Sequence, residues 1–191
     1  MPVSEVLCEP AGVGYLCRKL ACDERRSRRN PPGDLRCSAS EVVFDFLINP
    51  ALMATWIGIS HDLDPRPGGI FRIEVSRGNI ARGRYVEVNP PRRVTFTWGW
   101  ETHDPSSAVL QELPPESSLV EIDLEPVEGG TVVRLSHSGL PRTLSKIHGE
   151  RWIHYLSQLD GAARDAAGGQ GLMSRLQKRR QRWKRERLNK Q

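Results

Sequence analysis

The sequence contains no apolar run that approaches the ~18–20 residues a helix needs to cross a membrane. Its first ten residues, MPVSEVLCEP, lack the basic start and continuous apolar stretch of a secretory signal peptide. Cysteine is scarce, and Cys8, Cys17, Cys22 and Cys37 form no C-x-x-C pair and match no common zinc-ligand spacing. These absences predict a cytoplasmic protein with free thiols and no metal site.

Signatures of common catalytic sites are also missing. There is no G-x-S-x-G nucleophile motif, no phosphate-binding G-x-x-x-x-G-K-[ST], no dinucleotide-binding G-x-G-x-x-G and no H-E-x-x-H zinc motif. We therefore predict no cofactor, and the absence favours a binding role over an enzymatic one.

Charge is distributed unevenly along the chain, whose formal net charge is +5. Residues 38–160 carry 16 acidic and 11 basic side chains, whereas residues 172–191 carry 9 basic and 1 acidic side chain. The excess of positive charge thus belongs mainly to a C-terminal tail. Such a tail suits contact with nucleic acid or an anionic membrane surface, but a solvated extension explains it more simply.

A helical pattern begins the folded part. Apolar residues from Val42 to Leu47 recur with helical spacing. Asn49-Pro50 ends this helix, because proline disfavours helical geometry in the residue before it. Pro50 is also a favourable first residue for a second short helix, which we expect to reach Trp56.

The apolar period then changes from 3.6 to 2. Apolar and polar residues alternate in four segments, 71–75, 94–100, 120–124 and 133–137. Each alternation predicts a strand with one buried face, as in an antiparallel sheet that is solvated on its other side. The connection between 101 and 117 is long and polar.

Helical spacing returns between residue 141 and about residue 166. Five residues fall on one stripe of this segment: Leu144, His148, Trp152, Tyr155 and Leu159. At 1.5 Å per residue, a helix of this length is able to lie across the whole sheet.

Several segments together resemble the C-terminal domain family of the activator of Hsp90 ATPase, in its stand-alone bacterial form. They are INPALMATWIG (48–58), DLDPRPGGIFRIEV (62–75), GRYVEVNPPRRVTFTW (83–98), TVVRLSHSGLP (131–141) and GERWIHYLSQL (149–159). This family belongs to the SRPBCC or helix-grip superfamily, with the START domains and the birch-pollen allergen. The resemblance implies an α+β fold in which a curved antiparallel sheet wraps around a long C-terminal helix, with two short helices near the N-terminus.

Periodicity, charge and the resemblance together divide the chain into a poorly ordered extension (1–37), a helix-grip domain (38–166) and a basic tail (167–191). The resemblance fails at the start, where members of the family have a strand that leads into the first helix. Here residues 32–37 make a poor strand. Either residues 12–22, GVGYLCRKLAC, supply this strand, or one edge of the sheet is exposed.

The candidate site is the space between sheet and helix, and ten residues are expected to line it: Trp56, Phe71, Tyr85, Phe96, Trp98, Trp100, His137, His148, Trp152 and Tyr155. Aromatic side chains suit an apolar ligand, and they equally suit a packed core. His137 shares a strand face with Leu135, and a neutral imidazole there suits either a ligand or a hydrogen bond within the core. Gly83 leaves room beside Tyr85 for a ligand or for helix packing.

These observations support three hypotheses. The first is a non-enzymatic protein that binds a small apolar or amphipathic molecule. The second is a protein-interaction module that acts on an Hsp90-type chaperone, as the family name implies. The third is a cyclase or hydrolase, which requires an acid paired with His137.

Overall fold

The computed structural model describes residues 6–8, 15–21, 39–101, 112–128 and 130–168, with side chains described from residue 40 to residue 166 within these ranges. The described residues form two short helices, α1 (Ala39–Ile48) and α2 (Pro50–Met53), and one long helix, α3 (Arg142–Gly168). They also form nine strands: β1 (Val6–Cys8), β2 (Tyr15–Ala21), β3 (Ser60–Leu63), β4 (Ile70–Ser76), β5 (Asn79–Asn89), β6 (Arg93–Trp98), β7 (Trp100–Glu101), β8 (Ser118–Val127) and β9 (Gly130–Ser138).

The predicted break between the first two helices is confirmed. Helix α1 ends at Ile48, and Asn49 caps α2 through its side-chain oxygen, which accepts a hydrogen bond of 2.9 Å from the backbone N–H of Ala51. Pro50 occupies the first turn of α2, where its missing N–H costs no hydrogen bond. The turn continues to Trp56, whose buried indole N–H donates to the carbonyl of Phe46 at 3.0 Å. This bond fixes the angle between α1 and the segment after α2.

The strands pair in the order β1-β2-β9-β8-β6-β5-β4-β3, all antiparallel, and β7 pairs with β5. One face of this curved sheet packs against α1 and α3, and the other face carries the charged side chains. This is the helix-grip fold that the family resemblance predicts.

Two glycines of the sheet allow another backbone segment to approach closely. A Cβ atom at Gly83 would lie 1.7 Å from the carbonyl oxygen of Thr97, and one at Gly99 would lie 1.7 Å from the carbonyl oxygen of Pro114. The expectation that Gly83 leaves room for a ligand or for helix packing is therefore wrong, because the backbone of β6 occupies that space. The predicted single strand over 94–100 is also interrupted at Gly99, and Trp100 belongs to the separate strand β7, which pairs with Ile80 and Ala81 of β5.

The edge of β9 is covered by β2. Tyr15 pairs with Ser136 and Ala21 with Gly130 in a continuous antiparallel register. Of the two alternatives for the missing first strand, the pairing therefore favours a strand supplied by the segment 12–22. The division of the chain at residue 37 stays a prediction, as does the character of the tail, most of which lies outside the described residues.

Helix α3 presents its predicted stripe to the sheet. Leu144, His148, Trp152 and Leu159 are buried, while Tyr155 is half-buried and its neighbour Leu156 takes the deeper position. Within the described part of the chain, no helix combines the length and apolar character that a membrane span requires.

Candidate functional site

The ten predicted site residues lie together in the interior between sheet and helices. Nine of them are at least nine-tenths buried, and Tyr155 is half-buried. Ring contacts join nine of the ten into one cluster, from the stacked pair of Phe71 and Phe96, whose centroids are 3.9 Å apart, to the edge-to-face pair of Trp152 and Tyr155 at 6.1 Å. Trp56 faces the same interior beside Phe71 and Phe96. The structure thus places the candidate residues in one space; their binding of a ligand stays a prediction.

A chain of hydrogen bonds crosses this cluster from the helix to three strands. The Trp152 indole N–H donates to Nδ1 of His137 at 3.0 Å. The Ser118 hydroxyl donates to the carbonyl of Trp98 at 2.8 Å, so its oxygen accepts from Nε2–H of His137 at 2.9 Å. We call this chain of hydrogen bonds, Trp152–His137–Ser118–Trp98, the relay. All three of its bonds are consistent with one tautomer of His137, neutral and protonated on Nε2.

Both nitrogens of His137 are consequently occupied. Burial, and secondarily the neighbouring His148, lowers the pKa of His137 to about 3, so the ring is neutral at physiological pH. The ring also packs against Trp98 and Trp152, each with centroids 6.1 Å away. In this arrangement His137 connects α3 to the sheet. A ligand that forms a hydrogen bond with His137 first has to break one of the two bonds that the ring already makes.

Ser118 belongs to the candidate site and was missed by the sequence interpretation. It is 5% exposed and connects His137 to the backbone of Trp98. The sequence does place Ser118 on the buried face, because it precedes Val120, Ile122 and Leu124 in the period of 2 that marks this face of the strand. A serine at the end of an apolar alternation is identified as a site residue only when its neighbours on the adjacent strands are known.

The indoles of Trp98 and Trp100 differ from the hydrogen-bonded groups of the relay. The indole nitrogens of Trp98 and Trp100 are buried, and neither has a hydrogen-bond acceptor in the described part of the chain. The two rings meet edge to face at 5.5 Å, and Trp100 lies 6.0 Å from His148 of α3. Burial, and secondarily the charge of Arg151, lowers the pKa of His148 to about 4. The site thus holds unused hydrogen-bonding capacity in an otherwise apolar interior.

A small apolar pocket adjoins the aromatic cluster. Its volume is about 10 Å³, and its lining consists of apolar and aromatic side chains: Leu47, Met53, Trp56, Ile57, Phe71, Ile73, Phe96, Ile122 and Trp152. A space of this size has room for one water molecule at most, and it offers such a water few polar partners. The interior is therefore closely packed at this point.

Charged groups are almost absent from the described interior. Asp160 is the one carboxylate among its buried side chains, and Arg164, one turn further along α3, binds it through two hydrogen bonds of 2.8 and 2.9 Å. Within the described residues, no three His, Cys, Asp or Glu side chains are grouped in a way that would hold a metal ion. The hydrogen-bond partners of His137 are an indole and a hydroxyl rather than the acid that the cyclase or hydrolase hypothesis requires.

Comparisons with known proteins place the chain in a family. Residues 38–164 match the family described as "Activator of Hsp90 ATPase homolog 1-like protein". Among curated proteins, none shows a significant similarity to this chain.

Solved structures agree with that match. The AHSA1-like protein RHE_CH02687 from Rhizobium etli is 31% identical, with 82% of this chain and 86% of that chain covered and a TM-score of 0.53. CalU16 from Micromonospora echinospora is 22% identical, with 96% of each chain covered and a TM-score of 0.57. Protein MLL2253 from Mesorhizobium loti is 19% identical, with coverage of 79% and 96% and a TM-score of 0.59. The last two show the shared fold alone.

Proposed function

The chain belongs to the family of activator of Hsp90 ATPase homolog 1-like proteins, and from that premise we propose that it binds a small apolar or amphipathic molecule between the sheet and α3, without catalysing a reaction. The helix-grip architecture supports this proposal, because the sheet and α3 enclose an aromatic interior.

The observation that carries the proposal is the pair of buried, unpaired indole N–H groups of Trp98 and Trp100. A buried donor without an acceptor costs roughly 1–3 kcal/mol, and native proteins rarely retain one without a reason. An acceptor atom on a bound molecule would recover this free energy. The aromatic rings around the two donors would cover the apolar part of the same molecule.

Binding requires the interior to open. The 10 Å³ pocket is far smaller than any organic ligand, so a ligand has to displace packed side chains, and we expect α3 to move away from the sheet. This opening lowers the apparent affinity, because only the open fraction of the protein is competent to bind.

Native mass spectrometry of the protein purified from its own host tests this proposal. We expect a reproducible additional mass that is lost on denaturation. A Trp98→Phe/Trp100→Phe variant should lose this mass, and a His154→Ala variant should retain it, because His154 is exposed and bonds only with Gln158 among the described residues. A protein that carries no additional mass, and that also binds no apolar probe, would contradict the proposal.

Contact with an Hsp90-type chaperone is a second candidate function, which the description of the family supports. Binding of the purified protein to the host's Hsp90, with and without nucleotide, tests it directly. We expect Trp98→Phe to leave such a contact unchanged, because Trp98 is 2% exposed and inaccessible to a protein partner. No binding in either nucleotide state would remove this candidate.

A further inference from the structure

Two buried indole donors without an acceptor in the described part of the chain lie side by side in the interior. Trp98, Trp100 and His148 are 2%, 4% and 5% exposed, and each ring contacts the next. In the described residues neither indole nitrogen has a hydrogen-bond acceptor, whereas the neighbouring His137 and Trp152 are fully bonded. The two indoles are donors only, so the chemistry they require is an acceptor.

The same region provides no countercharge for a buried ion. The two imidazoles of the cluster, His137 and His148, are neutral. Asp160 and Arg164 lie about three and about four turns beyond His148 along α3. Arg151 is the cation near His148, and its side chain is exposed at the surface of α3. An ion that entered the cluster would lose its hydration without a paired charge beside it.

We propose that the preferred occupant of the site is an uncharged molecule with a planar apolar body and an acceptor oxygen, such as a ketone, which accepts hydrogen bonds from the indole N–H groups of Trp98 and Trp100. This inference rests on the proposed function and specifies the class of its ligand.

Two other ligand classes fit less well. A pure hydrocarbon fills the aromatic space but leaves both indole donors without an acceptor. A carboxylate supplies acceptors, but it has to be desolvated in a region where the described buried side chains carry no positive charge. A neutral carbonyl satisfies the donors at the smallest cost of desolvation.

Three probes of nearly the same shape separate these classes. They are 9-fluorenone, with a neutral carbonyl, fluorene, with no acceptor, and fluorene-9-carboxylate, with a charge. We expect the full-length protein to bind fluorenone most tightly. Fluorene should bind about tenfold more weakly, as expected for the loss of hydrogen bonds. The carboxylate should bind at least about a hundredfold more weakly, because its charge is desolvated without a partner.

The indole resonances provide a direct readout. In ¹⁵N–¹H spectra, fluorenone should shift the signals of Trp98 and Trp100 downfield. The signal of Trp56 serves as the internal reference, because its N–H group donates to Phe46 within the N-terminal helical segment rather than between α3 and the sheet. Trp98→Phe and Trp100→Phe keep an aromatic ring but remove the donor, so each should reduce the preference for fluorenone over fluorene while fluorene still binds.

The outcomes distinguish the two proposals. If fluorene or its carboxylate binds as tightly as fluorenone, the ligand class is wrong and the site still binds a small molecule. A preference for the carboxylate that disappears in Arg151→Gln would identify Arg151 as its partner and overturn the inference. If the preference for fluorenone remains in both tryptophan variants, the indole N–H groups do not donate to the carbonyl oxygen, and the inference is wrong. If none of the three probes binds, the ligand class and the proposed function both lose their support.

Discussion

The two faces of the sheet use polar residues in opposite ways. On the inner face, a few neutral groups are buried with their bonds in a fixed arrangement, as in the relay from Trp152 through His137 to Ser118. On the outer face, Arg93 forms ion pairs with Glu87, Glu121 and Asp123, all of them partly exposed. The outer face has more polar contacts, but they are exposed to water, whereas the polar contacts of the inner face are buried.

The difference is one of dielectric environment. Water screens the Arg93 network and competes for its partners, so each pair contributes little to folding. On the inner face no water is available to replace a lost partner, so a broken bond leaves a buried group unsatisfied. We therefore expect substitutions on the inner face to have the larger effects on stability, even where fewer contacts are removed.

His137→Ala should have the largest effect. It removes a buried ring and leaves the Trp152 N–H without its acceptor, so we expect the free energy of unfolding to fall by about 3–5 kcal/mol. His154→Ala on the exposed side of α3 is the control and should change it by less than about 0.5 kcal/mol. Urea unfolding followed by circular dichroism measures both. Equal effects of the two substitutions would contradict the structural role of His137.

Acidification should have the second-largest effect, because it lowers the free energy of unfolding through the two buried histidines of the interior. The pKa values of His137 and His148 are lowered to about 3 and about 4 in the folded protein, below the ordinary value of 6.5. The unfolded chain therefore binds more protons below pH 6.5, and stability that is present above that pH is lost as the pH falls towards these values. Each histidine should contribute a slope of about 1.4 kcal/mol per pH unit.

Unfolding measured between pH 7 and pH 5 checks this slope, because the ordinary carboxyl groups titrate mainly below that window. A His148→Phe variant should have a shallower profile than the unmodified protein. A profile that is flat in both proteins would show that His137 and His148 are protonated as easily in the folded chain as in the unfolded one.

A pair of tryptophan substitutions tests the unpaired donors. Trp56→Phe breaks the hydrogen bond from the Trp56 indole and leaves the Phe46 carbonyl without that donor. Trp98→Phe removes a donor that has no acceptor among the described residues. Both shorten a buried ring, so the difference between them isolates the hydrogen bond. We expect Trp56→Phe to be more destabilising by about 1 kcal/mol. If thermal unfolding gives the same value for both, Trp98 has an acceptor in solution.

Arg93→Ala on the outer face should have the smallest effect. We expect a loss of about 1 kcal/mol at low salt, because the side chain is about one-third exposed and its partners are solvated. The loss should shrink in 1 M salt, which screens charges at the surface. Arg134→Ala is the control, since the pair of Arg134 with Glu125 is more exposed, with side chains 46% and 53% exposed, than the pair of Arg93 with Glu121, at 32% and 29%. A loss as large as that of His137→Ala would refute the contrast between the two faces.

The sequence predicted the elements of the domain well, because each depends on local chemistry. Asn49-Pro50 ends a helix through the geometry of proline, and the period of 2 marks the strands through the alternation of their side chains. His137 and His148 were placed on inward faces by the same periodicity. Ser118 lay on the same alternation but was not singled out, because its importance depends on the neighbouring strand.

Features that depend on two elements at once were harder to predict. Gly83 was expected to leave open space, and the structure fills that space with the backbone of Thr97; at Gly99 the backbone of Pro114 approaches equally closely. Periodicity also joined Trp100 to the preceding strand, although Gly99 separates them. A pattern along one segment contains no information on how closely another backbone approaches it.

The sequence by itself determined the family, the order of helices and strands and the aromatic character of the interior, since these follow from side-chain type and spacing. Only the tertiary structure decided which polar atoms of that interior are satisfied. It joined Trp152, His137 and Ser118 in a relay and left the donors of Trp98 and Trp100 unpaired among the described residues. The physical reason is that a hydrogen bond depends on the distance and direction between atoms from separate elements, which packing sets.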